Sequence, residues 1–290
     1  MWVADVPMFN GRPLDFRQLW INGKKAVRAR DVADFEKMYR IINNDPQNEI
    51  LWVPAAAVKK IQKARYAEMV LHEMWCVANL RIKSVEIQGD SAAVRFHHPE
   101  SRIQFEHPWP RPMVTKDGHN SAFYLTNAME LLDEPGEWYH DIESRKIYYY
   151  PRKGEKISKA VVPGIETLVW VEGTIDRPVK HIRFDNIAFQ YTTWMRPSLQ
   201  GHVPLQAGMY MTDGYKIRPS MIRKNNHKLD NQGWLGRPAS AVVVKAAWDI
   251  DFEKCRFQHL GSTGLDYEWA TDGGHINGCL FRDILPGTVL

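Results

Sequence analysis

A stretch near the end of the chain repeats itself. Val243 to Leu290 reads VVKAAWDIDFEKCRFQHLGSTGLDYEWATDGGHINGCLFRDILPGTVL, and laid on itself with an offset of 24 its apolar positions coincide. Phe252 falls on Ile276, Cys255 on Cys279, Phe257 on Phe281, Leu260 on Ile284 and Leu265 on Val289. Short apolar alternations at this period, with Gly, Asp or Asn at the corners, suit one coil of a parallel β-helix. A strand in such a coil cannot bury its inner face alone. It stacks on the equivalent strand of the next coil, so like residues line up inside.

The same pattern occurs once more upstream. Ile182, Phe184, Ile187 and Phe189 in HIRFDNIAFQY match Ile250, Phe252, Cys255 and Phe257 at an offset of 68, which exceeds one coil by 44. A single coil with a long excursion from Trp194 to Pro238 accounts for this more simply than two further coils. The segment is rich in Pro, Gly, Asn and Trp and poor in alternation. Long loops on a rigid scaffold usually carry function, so scaffold and candidate site follow from one alignment.

Other features narrow the class. The 290 residues are enough for one large or two ordinary domains. The longest apolar runs, such as AVVV, are far too short to span a bilayer, so no membrane span is expected. The formal charge is +4 and the positive residues are scattered, which leaves no basic stripe for nucleic acid. Eleven Trp and eleven Tyr suit sugar rings as well as a core. Cys76, Cys255 and Cys279 make no disulfide framework, and Cys255 and Cys279 are expected to stack as small buried residues. No His or Cys at ligand spacing accompanies them, so neither metal nor cofactor is expected. MWVADVPMFNG has no basic start or apolar core, so no signal peptide is read there. Leu290 falls in mid-coil, and the expectation is a portion of a longer protein.

In chain order, Leu19-Trp20-Ile21 predicts a strand and Asn22-Gly23 a two-residue hairpin turn. DVADFEKMYRII is helical or irregular, ended by Asn43, Asn44, Asp45 and Pro46, and Lys59–Lys63 is helix or turn. Gly89-Asp90 separates two alternating runs, Arg81–Ile87 and Ala92–Phe96, as in a β-hairpin. Asn127–Asp133 predicts a short helix, and EWYHD and KIYYYP a hairpin around Ile142–Lys146. Composition thus divides the chain into residues 1–30, the start of the β-helix region; 31–112, an inserted mostly-β module ending in HPWPRP; and 113–290, the β-helix with its loop at 194–238.

LTNAMELLDEPGEWYHDIESRKIYYYPRKGE resembles the pattern of secreted right-handed parallel β-helix proteins of carbohydrate breakdown, and FRQLWINGKKAVRAR resembles their usual opening of this region. The run GHVPLQAGMY, NQGWLGRPASAVVV and CRFQHLGSTGLDY is similar to glycoside hydrolase family 141 and its relatives. The resemblance covers most of residues 10–30 and 114–285; residues 31–112 match less, and the family's first and last coils are absent. It implies an all-β, pectate-lyase-like solenoid and hydrolysis of α-L-fucosides or xylan in plant cell walls. It also implies secretion or a periplasmic location, and a monomer is expected.

The candidate chemistry starts at GLDYEWATD. Strand alternation puts Asp266 and Glu268 on one face and Leu265 and Tyr267 on the other. Residues two apart on a strand lie ~6.5–7 Å apart along it. Side-chain reach then allows carboxyl separations from roughly 5 to 9 Å, spanning both retaining and inverting geometries. Either these acids are simply solvated on an outer face or they react. The resemblance implies Asp266 as a catalytic carboxylate, since it ends the matching run HLGSTGLD, with Glu268, Asp272, Asp283 or an acid beyond Leu290 as its partner. Asp283 lies one coil from His259, where stacked strands ~4.8 Å apart allow the two to meet, as a structural pair or as a group that steers a proton or binds a hydroxyl.

The excursion and its borders supply candidate substrate contacts, each equally readable as packing. Trp194 and Trp234 can stack on a sugar face, His202 and Gln206 can bond hydroxyls, and Arg237 can fork onto a carboxylate or pair with Asp266. Arg218, Arg223, Lys224 and Lys228 read as a solvated loop that would also suit an acidic pectic substrate. Three functions remain: a two-carboxylate glycoside hydrolase, favoured here; a polysaccharide lyase using Arg237 and Lys245, although no acid cluster for Ca²⁺ is visible; and a non-catalytic carbohydrate-binding β-helix.

Overall fold

The computed structural model describes residues 1–107, 110–206, 208–214 and 234–284. The basic loop Arg218–Lys228 and the Leu265–Val289 match lie partly or wholly outside them. The described residues are mostly β, with helical segments no longer than Glu100–Glu106, and they cluster into two compact units.

The first unit comprises Met1–Pro7, Ala26–Lys156 and Arg196–Gly236. Its centre is a seven-stranded antiparallel sheet in the order Tyr39–Arg40, Ala122–Thr126, Glu68–His72, Val77–Gln88, Ser91–Phe96, Ile50–Pro54, Asn43–Asp45. Period-two alternation builds it: Met69, Leu71, Leu80, Val94, Phe123 and Leu125 are all buried in one core. The expected hairpin closes about Gly89-Asp90, with Gln88 opposite Ser91 and Gly89 at positive φ. The hairpin Glu137–Asp141 and Lys146–Tyr149 is also present, in a second sheet with Trp2–Asp5 and Val27–Arg28. Two local expectations are refined. Asn43–Asp45 is a strand paired with Ile50–Pro54, because the sheet uses backbone groups that side-chain propensity does not report. The predicted helices shrink to 3₁₀ turns at Phe35–Lys37, Lys59–Ile61 and Met129–Leu131. The sheet passes the composition shift near residue 112, because Ala122–Thr126 pairs on both sides within it.

The second unit comprises Met8–Lys25, Ile157–Met195 and Arg237–Leu290. Three parallel three-stranded sheets form its core: Val169–Glu172 with Ser240–Lys245 and Thr263–Tyr267; Val179–Asp185 with Ala247–Glu253 and Ile276–Asn277; Ala188–Gln190 with Arg256–Gln258 and Leu280–Arg282. The register pairs Ile182 with Ile250, Phe184 with Phe252 and Phe252 with Ile276, and Phe189 with Phe257 and Phe257 with Phe281. Those are the residues the internal alignment superposed. The rings stack accordingly, at 4.9 Å for Phe184–Phe252, 4.9 Å for Phe189–Phe257 and 4.6 Å for Phe257–Phe281. These separations match the spacing of neighbouring strands, ~4.8 Å. Burial of one such Phe contributes about 1.5–3 kcal/mol.

The corners repeat as well. His181, Asp249 and Gly273 share positive φ, as do Asn186, Lys254 and Gly278, and Tyr191, His259 and Asp283. A side chain at positive φ costs about 1–2 kcal/mol. The corners are fixed by backbone bonds from one layer to the next, among them Tyr191 N–H to the His259 carbonyl at 2.9 Å and Leu260 N–H to the Asp283 carbonyl at 3.1 Å. The Cys255 thiol donates to the Phe184 carbonyl at 3.4 Å and that of Cys279 to the Phe252 carbonyl at 3.3 Å, and both cysteines are unbridged. The Asn22-Gly23 hairpin joins Trp20–Ile21 to Lys24–Lys25 as expected.

Candidate active site

The first parallel sheet of the second unit sorts its residues by alternation. Val171, Val242, Val244 and Leu265 face the core. The residues between them share the other face: Trp170, Val243 and Asp266 are register partners, and Glu172 pairs with Lys245. Glu268 follows the strand, its N–H bonded to the Val244 carbonyl at 2.9 Å.

On this face the polar groups are paired. Arg237 forks onto Asp266, Nε donating to Oδ2 at 2.8 Å and Nη2 to Oδ1. Asp266 is only 1% exposed, so one of the four candidate carboxylates named from the sequence is withdrawn from water. The bond to Asp266, and then its charge and that of Glu268, push the Arg237 guanidinium upward against its partial burial. Lys245 Nζ lies 3.3 Å from Glu268 Oε2 and 4.4 Å from the centre of the Trp170 ring. Trp170 is 55% exposed, a flat indole face open beside two ion pairs.

Of the residues singled out from the sequence, the structure therefore brings together Asp266, Glu268 and Arg237. The expected outward direction of Asp266 holds, and its solvation does not, because Arg237 covers it. Both its oxygens accept guanidinium N–H donors, an arrangement for an anion rather than a proton donor. Glu268 has a single cation at one oxygen and keeps acceptor capacity. Asp272 is on the neighbouring sheet, bridged to Trp248.

Asp283 and His259 form a separate cluster at the corner. His259 Nδ1 meets Asp283 Oδ2 at 2.8 Å across 24 residues, Trp20 Nε1 donates to Oδ2 at 3.0 Å and Lys25 Nζ to Oδ1 at 3.2 Å. Tyr191 stacks on the His259 ring, with centres 5.3 Å apart. Burial opposes the charge on Asp283, but the hydrogen bonds from His259 and Trp20 and the charge and bond of Lys25 outweigh it and hold the carboxyl below its ordinary value. A carboxylate with three donors is built to anchor.

Trp194 belongs to the second unit and is 7% exposed, which leaves no open ring face for a sugar. His202, Gln206 and Trp234 belong to the first unit. His202 is buried and exchanges backbone hydrogen bonds with Asn79 at 2.7 and 2.9 Å, its ring edge-on to Tyr210. Gln206 is exposed at a turn closed by Met209 N–H, and Trp234 is half-buried. The sequence reading missed Trp170. Its signal was the alternation LVWVE, which makes it an outward residue, but its strand lies outside the aligned runs. Among the described residues no group of three or more His, Cys, Asp or Glu could hold a metal ion, and no helix is long and apolar enough to cross a membrane.

Comparison with known proteins adds two findings. Residues 1–152 match the GH141 insertion domain. This range includes residues 31–112, where the resemblance was least visible. A solved structure titled "Glycoside hydrolase" is 72% identical with a TM-score of 0.94, over 99% of this chain and 50% of that one. The chain thus spans about half the length of that protein. No curated protein matches the chain.

Proposed function

The chain belongs to glycoside hydrolase family 141, and from that premise we propose that it hydrolyses O-glycosyl bonds in plant cell-wall polysaccharide, of the α-L-fucoside or xylan type. The observation that carries the reading is the outer face of the first parallel sheet, where a buried carboxylate, a second carboxylate and an open indole stand together. In this reading the second unit is part of a right-handed parallel β-helix, supported by its parallel pairing, its 24-residue register and its repeating corners. The first unit is a module inserted into it. Secretion or a periplasmic location accompanies a polymeric substrate.

Hydrolysis needs one carboxyl that gives a proton to the departing oxygen and one carboxylate that attacks the anomeric carbon or activates water. Asp266, held by Arg237, suits the anionic role. Glu268, the other carboxyl on this face and held by a single cation at one oxygen, is left the proton donor's role. Trp170 offers an apolar face to a sugar ring, which fixes the scissile bond over the carboxylates.

The test is product release from a panel of plant polysaccharides and pectic oligosaccharides, with and without EDTA, for wild type and Asp266→Asn. EDTA-resistant release of reducing sugar, lost in the variant, supports the proposal and names the substrate. Unsaturated products abolished by EDTA would make the protein a lyase. Equal release by both proteins would remove Asp266 from the chemistry.

A further inference from the structure

The first unit holds a second group of aromatic and basic side chains that hydrolysis does not use. Alternation in the seven-stranded sheet turns Met69, Leu71, Phe123 and Leu125 to the core and therefore turns His72, Tyr124 and Arg40 to the opposite face. The pairings set them side by side: Arg40 is opposite Ala122, Tyr124 is opposite Val70, and Arg30 is bridged to Thr126. The 3₁₀ turn Phe35–Lys37 lays the half-exposed Phe35 ring over this face.

The contacts run as one stripe. The Arg40 guanidinium lies 4.6 Å from the centre of the Phe35 ring, Phe35 meets His72 edge-on at 5.2 Å, His72 lies 6.4 Å from Tyr124, and the Arg30 guanidinium is 6.0 Å from the Tyr124 ring. Three rings in a row thus end in a guanidinium on each side. Among the described residues neither guanidinium meets a carboxylate. His72 Nε2 is buried and has no hydrogen-bond partner among them. Burial, and then the charge of Arg40, push His72 below its ordinary value, so the ring is neutral and ready to exchange a hydrogen bond.

One kind of ligand fits the stripe. Aromatic faces take the C–H faces of sugar rings, and guanidinium forks take carboxylates. A neutral glycan would leave both arginines unused, and a peptide of Asp and Glu alone offers no flat face to Phe35 and Tyr124.

We propose that Phe35, His72 and Tyr124, with Arg30 and Arg40, form a carbohydrate-binding site for a uronate-bearing saccharide, made of none of the residues assigned to hydrolysis. The choice of a saccharide rests on the carbohydrate-active reading of the family; the site itself does not depend on Asp266.

The experiment is isothermal titration of the full chain with tetragalacturonate, its methyl ester, xylotetraose and a tetraglutamate peptide. Wild type is compared with Arg40→Gln, Arg30→Gln, Phe35→Ala and Asp266→Asn. Tetragalacturonate should bind wild type and Asp266→Asn alike. Arg40→Gln or Arg30→Gln should weaken it by about 10-fold each, and Arg40→Lys less than Arg40→Gln, because a point charge loses the fork. The methyl ester and xylotetraose should bind at least about 10-fold more weakly than the acid. The proposal is overturned if the ester binds as tightly as the acid, or if the peptide does. It is also overturned if binding is lost in Asp266→Asn and kept in Arg40→Gln, which would put the ligand at the reacting carboxylates. Each variant is checked by thermal unfolding. If Phe35→Ala unfolds, Phe35→Leu, which keeps the volume and removes the ring, carries the aromatic arm of the test.

Discussion

Replacing Asp283 by Asn tests whether this carboxylate anchors or reacts. Asp283 accepts from Trp20, Lys25 and His259, and its side chain is 24% exposed. The amide keeps one acceptor oxygen, which takes the Oδ2 place before Trp20 and His259, and turns an NH₂ toward Lys25. Trp20 is fully buried, so its indole N–H cannot turn to water and exchanges a charged acceptor for a neutral one. Losing a hydrogen bond to a charged group costs about 1.5–3 kcal/mol. The half-exposed Lys25 adds little, as for surface pairs. An overall loss of about 2–3 kcal/mol at pH 7 follows, centred on the clasp between the Trp20–Lys25 hairpin and the His259 corner.

The pH dependence gives the sharper signature. The folded pKa of Asp283 is lowered, so the carboxylate contributes stability that is fully present above its unfolded value, about 3.9. That stability is lost as pH falls through the folded value, which lies lower still. The gap between wild type and Asp283→Asn should therefore be constant from pH 7 to about 5 and close as the solution is acidified toward pH 3. Urea unfolding followed by tryptophan fluorescence, with Trp20 in the clasp, measures it. A gap that stays the same down to pH 3, or one below about 0.5 kcal/mol at pH 7, would refute the anchoring argument. Turnover that collapses while stability is unchanged would make Asp283 a reacting group instead.

Three further outcomes are expected. Phe257→Ala removes the middle ring of the Phe189–Phe257–Phe281 stack and should cost about 3–5 kcal/mol, against clearly less for Phe281→Ala, whose ring has one such neighbour; urea midpoints of the two variants check the order. Gly261→Ala would put a Cβ 2.4 Å from the Thr193 backbone carbonyl carbon, a clash with main chain that cannot swing away, so the variant should lose at least about 2 kcal/mol or fail to accumulate, while Gly11→Ala, with open space around it, should lose under about 2 kcal/mol through its positive φ alone. Trp170→Ala should raise KM by about 10-fold with kcat within about 3-fold, as loss of uniform binding does; an equal fall in kcat would mean the indole acts in the transition state.

The second unit was legible because its information is periodic. Phe252, Phe257 and Phe281 must superpose if each strand finishes the core of the one before, and a fixed offset reveals that without any knowledge of contacts. The same logic placed His259 beside Asp283. The first unit has no such period. Its sheet joins residue 40 to residue 122 and residue 71 to residue 123, and pairings that far apart leave only local alternation to read. Hairpins around Gly89 and Asn22 were visible for that reason, because their partners are next to each other in the chain. Asn43–Asp45 was not, because an edge strand of polar residues is held by backbone groups that any sequence supplies.

The site was legible in part for the same reason. Asp266 was singled out by the resemblance of HLGSTGLD to the family, and alternation fixed its face. Its burial was not visible, because that depends on Arg237, 29 residues earlier, and on which of two plausible partners the guanidinium takes. Trp170 shows the complementary limit. The alternation LVWVE turns it outward, but nothing in the chain singles out an outward tryptophan until a cation is found 4.4 Å above the ring and a carboxylate beyond that cation. A candidate carboxylate can be located by pattern, but what surrounds it is set by long-range pairing. This is why the partner of Asp266 is better decided by substituting Glu268 than by further inspection of spacing. Glu268→Gln should lower kcat by about 100-fold or more on glycosides with poor leaving groups, and much less on activated aryl glycosides that depart without a proton, if Glu268 is the proton donor; it should leave both rates in place if another acid is.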